Sequence, residues 1–357
     1  MARAELVVDR LVATGFIRPS VLWRGLQHSR PSFSHWGVGL LIGLSGLLVE
    51  PLAWLQSLLY AQRLRRVQLP DDPIVIIGHW RSGTTYLHQL LASDPAVATA
   101  RNTLTMAPQV ALLLQPWIAP LMKAWMTRVR PIDAVPWGPD DPQEDELGLA
   151  RLTFDTNMGG MAFPRDYLAN FRRHVLETST AYERQWLTFC RLTWLHDGAG
   201  KSHWLIKNSV HTARVRLVLK HFPRARFVLL RRSPVDSIRS LVQVKQRLGA
   251  LVGLQPLPDP PTQVEETATA HRELLEAFEA SRHLIPAQQL LELDYDDLIS
   301  QPLQAVEGIY TRFGLTSWPV AEAPIKARID RARSYTADPV QLPPLAERRL
   351  QELMKAS

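Results

Sequence analysis

Short apolar runs alternate with longer amphipathic stretches over most of the chain. Four runs have the length of buried strands, at 74–77, 204–206, 226–230 and 289–293. Between and after them, apolar residues recur every three to four positions over 166–195, 211–221, 264–283 and 303–313, which predicts helices. Strands that alternate with helices predict an α/β fold, with a central parallel sheet flanked by helices in three layers.

The N-terminal part has a different pattern. Residues 1–70 are predicted to be helical, and 37–49 are strongly apolar up to Glu50 and Pro51, after which a second apolar run covers 52–60. About 13 uninterrupted residues make about 20 Å of helix, less than a bilayer core requires. We therefore predict a hydrophobic helical segment that either forms an N-terminal subdomain or contacts a membrane surface through 37–60. A true span and a plain buried helix are the alternatives.

These patterns predict three regions. An N-terminal helical segment at 1–70 ends in a turn rich in proline and aspartate, and the main α/β domain follows at 71–315. Within the domain, 95–165 is rich in proline and tryptophan, so we expect short helices and loops that form a lid and bind the acceptor. A loop is expected at 245–263. The helix at 303–313 is expected to be the last, and 316–357 a C-terminal extension.

Composition limits the classes of partner and the compartment. The 357 residues carry a net charge of +7, which suits an anionic ligand or membrane, but the basic residues are too dispersed to indicate nucleic-acid binding. The single cysteine, Cys190, lies in an apolar helical stretch and is predicted to be a core residue. Without a possible internal disulfide or a recognisable secretory signal, the chain is expected to be cytoplasmic, with possible peripheral membrane contact.

A glycine-bracketed loop follows the first predicted strand. Gly78 and Gly83 have the spacing of an ATPase phosphate loop, but Thr84 occupies the position of the expected lysine and Arg81 lies inside the loop. Ser82, Thr84 and Thr85 add hydroxyl groups in front of a helix N-terminus. We expect an anion site, but not one for the β,γ-phosphates of a magnesium nucleotide.

A second anion site is predicted where the strand at 226–230 ends. Arg232 follows that strand, and Ser233 and Pro234 are suited to the N-cap and first position of a helix, with Asp236 three residues after the cap. Ser240 lies two turns further along the same helix face. Two anion sites at two strand–helix turns indicate a ligand with two anionic ends.

The two motifs together resemble those of sulfotransferases that use 3′-phosphoadenosine 5′-phosphosulfate (PAPS). The chain is most similar to the bacterial branch that shares features with tyrosylprotein sulfotransferases, and the resemblance covers about 72–315. It implies that Arg81, Ser82, Gly83, Thr84 and Thr85 bind the 5′-phosphosulfate. The resemblance also implies further ligand contacts, by Arg232 and Ser240 with the 3′-phosphate, Tyr295 with the nucleotide, and Lys207 with the transferring group.

The chain departs from the tyrosylprotein enzymes at their catalytic base. Their Gly-Glu-Glu-Thr run is matched here by residues 100–103, Ala-Arg-Asn-Thr, which contain no carboxylate. The acidic cluster 143–146, with Glu144 and Asp145, is one alternative source of a base. His211 is the other, since cytosolic members of the wider superfamily use a histidine, and His79 is a weaker candidate.

The predicted reaction transfers a sulfuryl group from PAPS to a hydroxyl or amine, without a metal. The acceptor remains open among small molecules, lipids and glycans, and the apolar N-terminal segment favours a lipophilic one. Two other functions are compatible with the sequence. A P-loop kinase or NTPase would be expected to have lysine at position 84, and a non-catalytic, membrane-associated nucleotide-binding protein would need no base.

Overall fold

The computed structural model describes residues 9–11, 13–125, 137–333 and 340–355. Its centre is a five-stranded parallel sheet with strand order β2-β3-β1-β4-β5. The strands are β1 (Ile74–Ile77), β2 (Val97–Thr99), β3 (His203–Lys207), β4 (Arg226–Arg231) and β5 (Leu290–Asp294).

Helices precede, connect and follow the strands. Those before β3 are α1 (Pro19–His28), α2 (Trp36–Arg66), α3 (Thr84–Leu91), α4 (Asn102–Thr105), α5 (Gln115–Trp125), α6 (Asp145–Leu149), α7 (Met158–Ala162), α8 (Tyr167–Phe171) and α9 (Thr180–Asp197). The later ones are α10 (Val215–His221), α11 (Pro234–Val252), α12 (Pro260–Arg282), α13 (Tyr295–Ser300), α14 (Pro302–Phe313), α15 (Trp318–Arg333) and α16 (Pro344–Lys355).

Both faces of the sheet are buried, because alternate residues of each strand point to opposite sides. On one face, Val75 and Ile77 of β1 belong to a core that includes Trp186 of α9. On the other, Ile74 and Ile76 belong to a core with Leu90 of α3 and residues of α14 and α15. The predicted three-layer α/β fold is therefore confirmed.

Four of the local predictions are wrong. Val97–Thr99 forms the edge strand β2 inside the region expected to hold only short helices and loops. Helix α11 continues to Val252, so the predicted loop at 245–263 starts only after that residue. The helix at 303–313 is not the last, because α15 packs beside α14 and α16 packs on α12. Instead of one helix at 211–221, a 3₁₀ turn at Ser209–Thr212 precedes α10.

The apolar N-terminal run forms one continuous helix. Helix α2 runs for 31 residues through Pro51, so the helix is longer than the about 20 Å expected from the uninterrupted apolar run alone. A proline removes one backbone hydrogen bond, but packing of α2 against the domain compensates for this cost. Among the described residues, Phe33–Arg66 is the one helical segment long and apolar enough to cross a membrane, although 28% of its most apolar window is buried against the protein.

Candidate active site

The loop after β1 is built from unusual backbone conformations. Gly78 has a φ of 133° and Gly83 a φ of 92°, and Arg81 is held at 68°, in the left-handed region that most non-glycine residues avoid. A Cβ atom on Gly83 would lie 2.6 Å from the ring of Tyr295. The loop therefore requires glycine for its close approach to Tyr295, and the strain at Arg81 is typical of a functional site.

The two predicted anion motifs meet at this loop. The Arg81 Nε atom donates a hydrogen bond of 2.9 Å to the Ser240 hydroxyl, and Arg232 Nη1 donates one of 2.8 Å to the Arg81 carbonyl oxygen. The Arg232 guanidinium lies 4.2 Å from the ring centroid of Tyr295. Residues from three segments of the chain thus converge at the carboxyl edge of the sheet, where α/β proteins bind their ligands.

The hydroxyl residues of the loop have different environments. Ser82 is buried, and its hydroxyl donates a hydrogen bond of 2.7 Å to the His79 carbonyl oxygen, which closes the loop. Thr84 is buried and Thr85 half-buried, and both lie in the first turn of α3. No side chain caps this end of α3 in the described residues. Its first N–H groups and its dipole therefore favour an anion.

The second motif differs from its prediction at the helix cap. Ser233 occupies the N-cap of α11 and Pro234 the first position, but the Ser233 side chain makes no capping hydrogen bond. Asp236 instead accepts a hydrogen bond from Arg239. Ser233 and Pro234 therefore occupy their predicted positions without a side-chain cap, and Ser240 does lie beside Arg81.

Lys207 and Glu144 form an ion pair next to the loop. Lys207 ends β3 beside Ile76 of β1, and its Nζ lies 2.5 Å from the Glu144 carboxylate. The second carboxylate oxygen accepts a hydrogen bond of 3.0 Å from the Ser209 backbone N–H. The side chains are 4% and 16% exposed, respectively. Glu144 thus presents a fixed, partly accessible carboxylate at the edge of the sheet that carries the anion loop.

The two neighbouring carboxyl groups are buried. The pKa of Asp145 is raised well above its usual range by burial, and further by the nearby Glu144 and Glu146 charges. Burial also raises the pKa of Glu146 to about 7, although Asn208 and the Asn157 N–H donate hydrogen bonds to it. The structure therefore does not place Asp145 where an acceptor from solvent could reach it, unlike Glu144.

Neither histidine candidate is arranged as a base for an external acceptor. His211 is fully buried, its ring centroid lies 4.9 Å from that of Trp186, and burial lowers its pKa to about 3. His79 is also buried, and this burial is the main cause of its lowered pKa. Its ring centroid lies 4.4 Å from that of His271. Their burial therefore favours Glu144 over either histidine as the base.

Two residues at the site were not predicted from the sequence. The Thr212 hydroxyl accepts a hydrogen bond of 2.8 Å from the Gly78 N–H, and the Ser209 N–H binds Glu144. The available signal was the polar run of residues 208–212 directly after β3, because polar residues that follow a parallel strand lie at the ligand-binding edge.

The comparisons with known proteins agree with the motifs. Residues 73–319 match the profile described as the Sulfotransferase family. Omega-hydroxy-beta-dihydromenaquinone-9 sulfotransferase Stf3 of Mycobacterium tuberculosis is 25% identical over 311 residues, which are 85% of this chain and 77% of that protein. The protein of the same name from Mycobacterium bovis matches equally well.

Two solved structures share the fold. Sulfotransferase STF9 from Mycobacterium avium is 17% identical, with 94% of both chains covered and a TM-score of 0.66. Sulfotransferase STF1 from Mycobacterium tuberculosis is 19% identical, with 93% of this chain and 90% of that chain covered and a TM-score of 0.63. The family match over most of the chain confirms the resemblance inferred from the motifs, and the chain belongs to the sulfotransferase family of enzymes.

Proposed function

We propose that this sulfotransferase transfers a sulfuryl group from PAPS to a hydroxyl group of a lipophilic acceptor. The observation that carries the donor assignment is the meeting of the two anion motifs, through the hydrogen bonds that join Arg81, Ser240 and Arg232. A donor with phosphate groups at both its 3′ and 5′ positions matches two adjacent cationic sites. Family membership favours this reaction over that of a kinase or NTPase, and over a non-catalytic binding protein.

The donor assignments follow the position of each residue. The Arg81–Thr85 loop and the uncapped end of α3 would hold the 5′-phosphosulfate, and Arg232 with Ser240 the 3′-phosphate. Tyr295, stacked on Arg232, would bound the nucleotide site. The residues present fit such a ligand, because no side chain caps the N-terminus of α3, and Arg81 and Arg232 add positive charge beside it. PAPS supplies an activated sulfuryl group on a phosphate leaving group.

Glu144 is the residue we assign as general base. Its carboxylate would accept the proton of the acceptor hydroxyl as the new bond between that oxygen and sulfur forms and the bond from sulfur to the donor phosphate breaks. Lys207, paired with Glu144, and Arg81 would stabilise negative charge on the sulfuryl and leaving oxygens. Positioning and charge stabilisation supply most of the rate enhancement in such a transfer.

The acceptor class rests on two observations. The name of the Stf3 relatives specifies a hydroxylated dihydromenaquinone, which is a lipid. In this chain, α1 and α2 pack on Phe154 and Phe163 of the lid region and expose many apolar side chains. We therefore favour a lipid alcohol over a polar small molecule or a glycan. A cytoplasmic location stays a prediction.

Donor binding is tested by calorimetric titration with adenosine 3′,5′-bisphosphate. Arg81→Ala and Arg232→Ala should each weaken affinity by about tenfold or more, because each removes charge-assisted hydrogen bonds to a phosphate. Arg231→Ala is the matched control, since the Arg231 side chain forms ion pairs with Glu292 and Glu279 instead. Unchanged affinity in both test variants, or displacement of the bisphosphate by Mg²⁺–ATP, would refute the assignment.

The reaction itself is tested with lipid extracts. The purified protein and PAPS should produce a lipid whose mass has increased by one SO₃ group, and the product should be absent without PAPS. Nucleotide binding without such a product across lipid, phenol and glycan acceptors would instead favour the non-catalytic alternative.

A further inference from the structure

One side of α2 exposes a continuous apolar surface. Six of its leucines recur at spacings of one, three, four or seven residues, which places them on one helix face, and they are 42–79% exposed. We call them, with Trp54, the apolar stripe: Leu40, Leu44, Leu47, Leu48, Leu55 and Leu58. Such a surface on a folded domain marks an interaction site.

The opposite side of α2 is tied to the domain. The Gln56 amide donates a hydrogen bond to the Pro108 carbonyl oxygen and accepts one from the Leu112 N–H, and the Tyr60 hydroxyl donates one to the Leu112 carbonyl oxygen. Ala53, one turn earlier, is 1% exposed. A helix of this length, about 46 Å, could span a bilayer. It would, however, have to leave these contacts, so the packing favours a helix that lies flat on the surface.

The charge around the stripe complements an anionic surface. Between residues 13 and 66 the chain has six arginines and a single acidic residue, Glu50. Glu50 is paired with Arg18, so it contributes little negative charge. Arg63, Arg65 and Arg66 are exposed in the last turn of α2, directly after the stripe. Basic residues next to an apolar helix face favour anionic lipid over a neutral surface.

Two further features of this side suit a bilayer. An apolar groove of about 250 Å³ lies between α1 and α2, and its lining includes Leu22, Leu26 and Gly43 beside leucines of the stripe. Trp23, on α1, is 63% exposed and Trp54 is 70% exposed. Tryptophan is enriched at membrane interfaces, where its ring stays between the acyl chains and the headgroups.

We infer that α2 is an in-plane membrane anchor, which inserts the apolar stripe into an anionic bilayer surface and places Arg63, Arg65 and Arg66 among the headgroups. The anchor does not depend on the proposed reaction. Its occupant is the bilayer, in preference to a second copy of the chain, because anionic headgroups would pair with the arginines beside the stripe, whereas residues 13–66 of a second copy offer a single acidic residue, Glu50, which is already paired with Arg18.

The test is flotation of the full chain with vesicles of phosphatidylcholine containing increasing shares of phosphatidylglycerol, without any donor or acceptor. Binding should rise with the anionic share. Leu44→Glu and Leu48→Glu should each reduce vesicle affinity by about tenfold or more, because each removes a buried leucine from the interface. Leu345→Glu, at an exposed leucine of α16, should leave affinity unchanged. The double variant Arg65→Gln, Arg66→Gln should lower affinity for vesicles rich in phosphatidylglycerol by about fivefold for each arginine removed, with little effect on pure phosphatidylcholine.

Three results would overturn the inference. The first is equal vesicle binding by the wild type and both glutamate variants. The second is a dimer in the absence of lipid that these substitutions dissociate. The third is resistance of the bound protein to extraction by alkaline carbonate, which would indicate a spanning helix. A wild-type thermal unfolding transition shows that each variant is folded, and binding of adenosine 3′,5′-bisphosphate is measured separately, so a failure of the anchor is distinguishable from a failure of the donor site.

Discussion

Replacing Glu144 with glutamine removes the proposed base and changes the side chain least in shape. The carboxylate accepts one hydrogen bond from Lys207 Nζ at 2.5 Å and one from the Ser209 N–H at 3.0 Å. An amide has one acceptor oxygen, so its NH₂ group must face one of these two donors. We expect a loss of about 1–3 kcal/mol in the free energy of unfolding from this mismatch, which urea denaturation measures.

The effect on catalysis should be larger and confined to turnover. General base catalysis contributes about 10²–10⁴-fold, so kcat of Glu144→Gln should fall by at least about 100-fold with an aliphatic alcohol acceptor. Affinity for adenosine 3′,5′-bisphosphate should stay near the wild-type value, because Glu144 is not assigned to the donor site.

Acceptor acidity separates a base from a merely structural role. An acidic phenol releases its proton without help, so the loss of kcat in Glu144→Gln should be much smaller with such a phenol than with an alcohol. Glu183→Gln is the matched control, because Glu183 also pairs with a lysine and is 20% exposed, but lies on α9 against α10. An equal loss with both acceptors, or wild-type kcat with the alcohol, would refute the assignment of Glu144.

Three further predictions follow from the local structure. Gly83→Ala should lower both Tm and bisphosphate affinity, since the added Cβ would meet Tyr295. Gly200 has a similar positive φ but lies in open space, so Gly200→Ala should lower only Tm, through the strain of a left-handed backbone conformation at alanine. The raised pKa of Glu146, about 7 against 4.5, means that the folded protein retains a proton released by the unfolded chain, so this carboxyl destabilises the fold increasingly as pH rises from about 4.5 to 7. Urea denaturation should therefore show that the free energy of unfolding of Glu146→Gln, relative to that of the wild type, rises by about 2.5 kcal/mol between pH 5 and pH 8. The same difference in free energy at both pH values would contradict this. Burial raises the pKa of Cys190, so Ellman's reagent should label it only after unfolding, and rapid labelling of the native protein would contradict its core position.

The two anion motifs could be predicted because their signals are local. Two glycines and an arginine between a strand and a helix specify a loop wherever the rest of the chain lies, and Arg232 with Ser240 lies in a similar turn. That the loop after β1 lies close to the turn after β4 also follows from the sequence, since the carboxyl ends of parallel strands share one edge of the sheet. The roles of individual residues at this edge stay predictions.

The errors come from interactions distant in sequence. β2 is three residues long and gains its strand character only by pairing with β3, which a window of sequence does not reveal. Helix α11 continues to Val252, and its Gly249 lies directly against Leu257 of the loop that follows, a contact that sequence periodicity does not reveal. The continuity of α2 through Pro51 likewise depends on packing, since Ala53 two residues later is fully buried against the domain.

The position of Glu144 explains how a site without the Gly-Glu-Glu-Thr run can still present a carboxylate. The matching stretch begins at Ala100, whose carbonyl oxygen accepts a hydrogen bond of 2.9 Å from the Gln143 N–H, and Arg101 pairs with Pro142 in an isolated antiparallel bridge. Residues 100–101 thus hold the segment that ends in Glu144. In tyrosylprotein sulfotransferases this stretch supplies the base itself, whereas here it would position Glu144 as the base. Lys207 at the end of β3, 63 residues further along the chain, pairs with the Glu144 carboxylate.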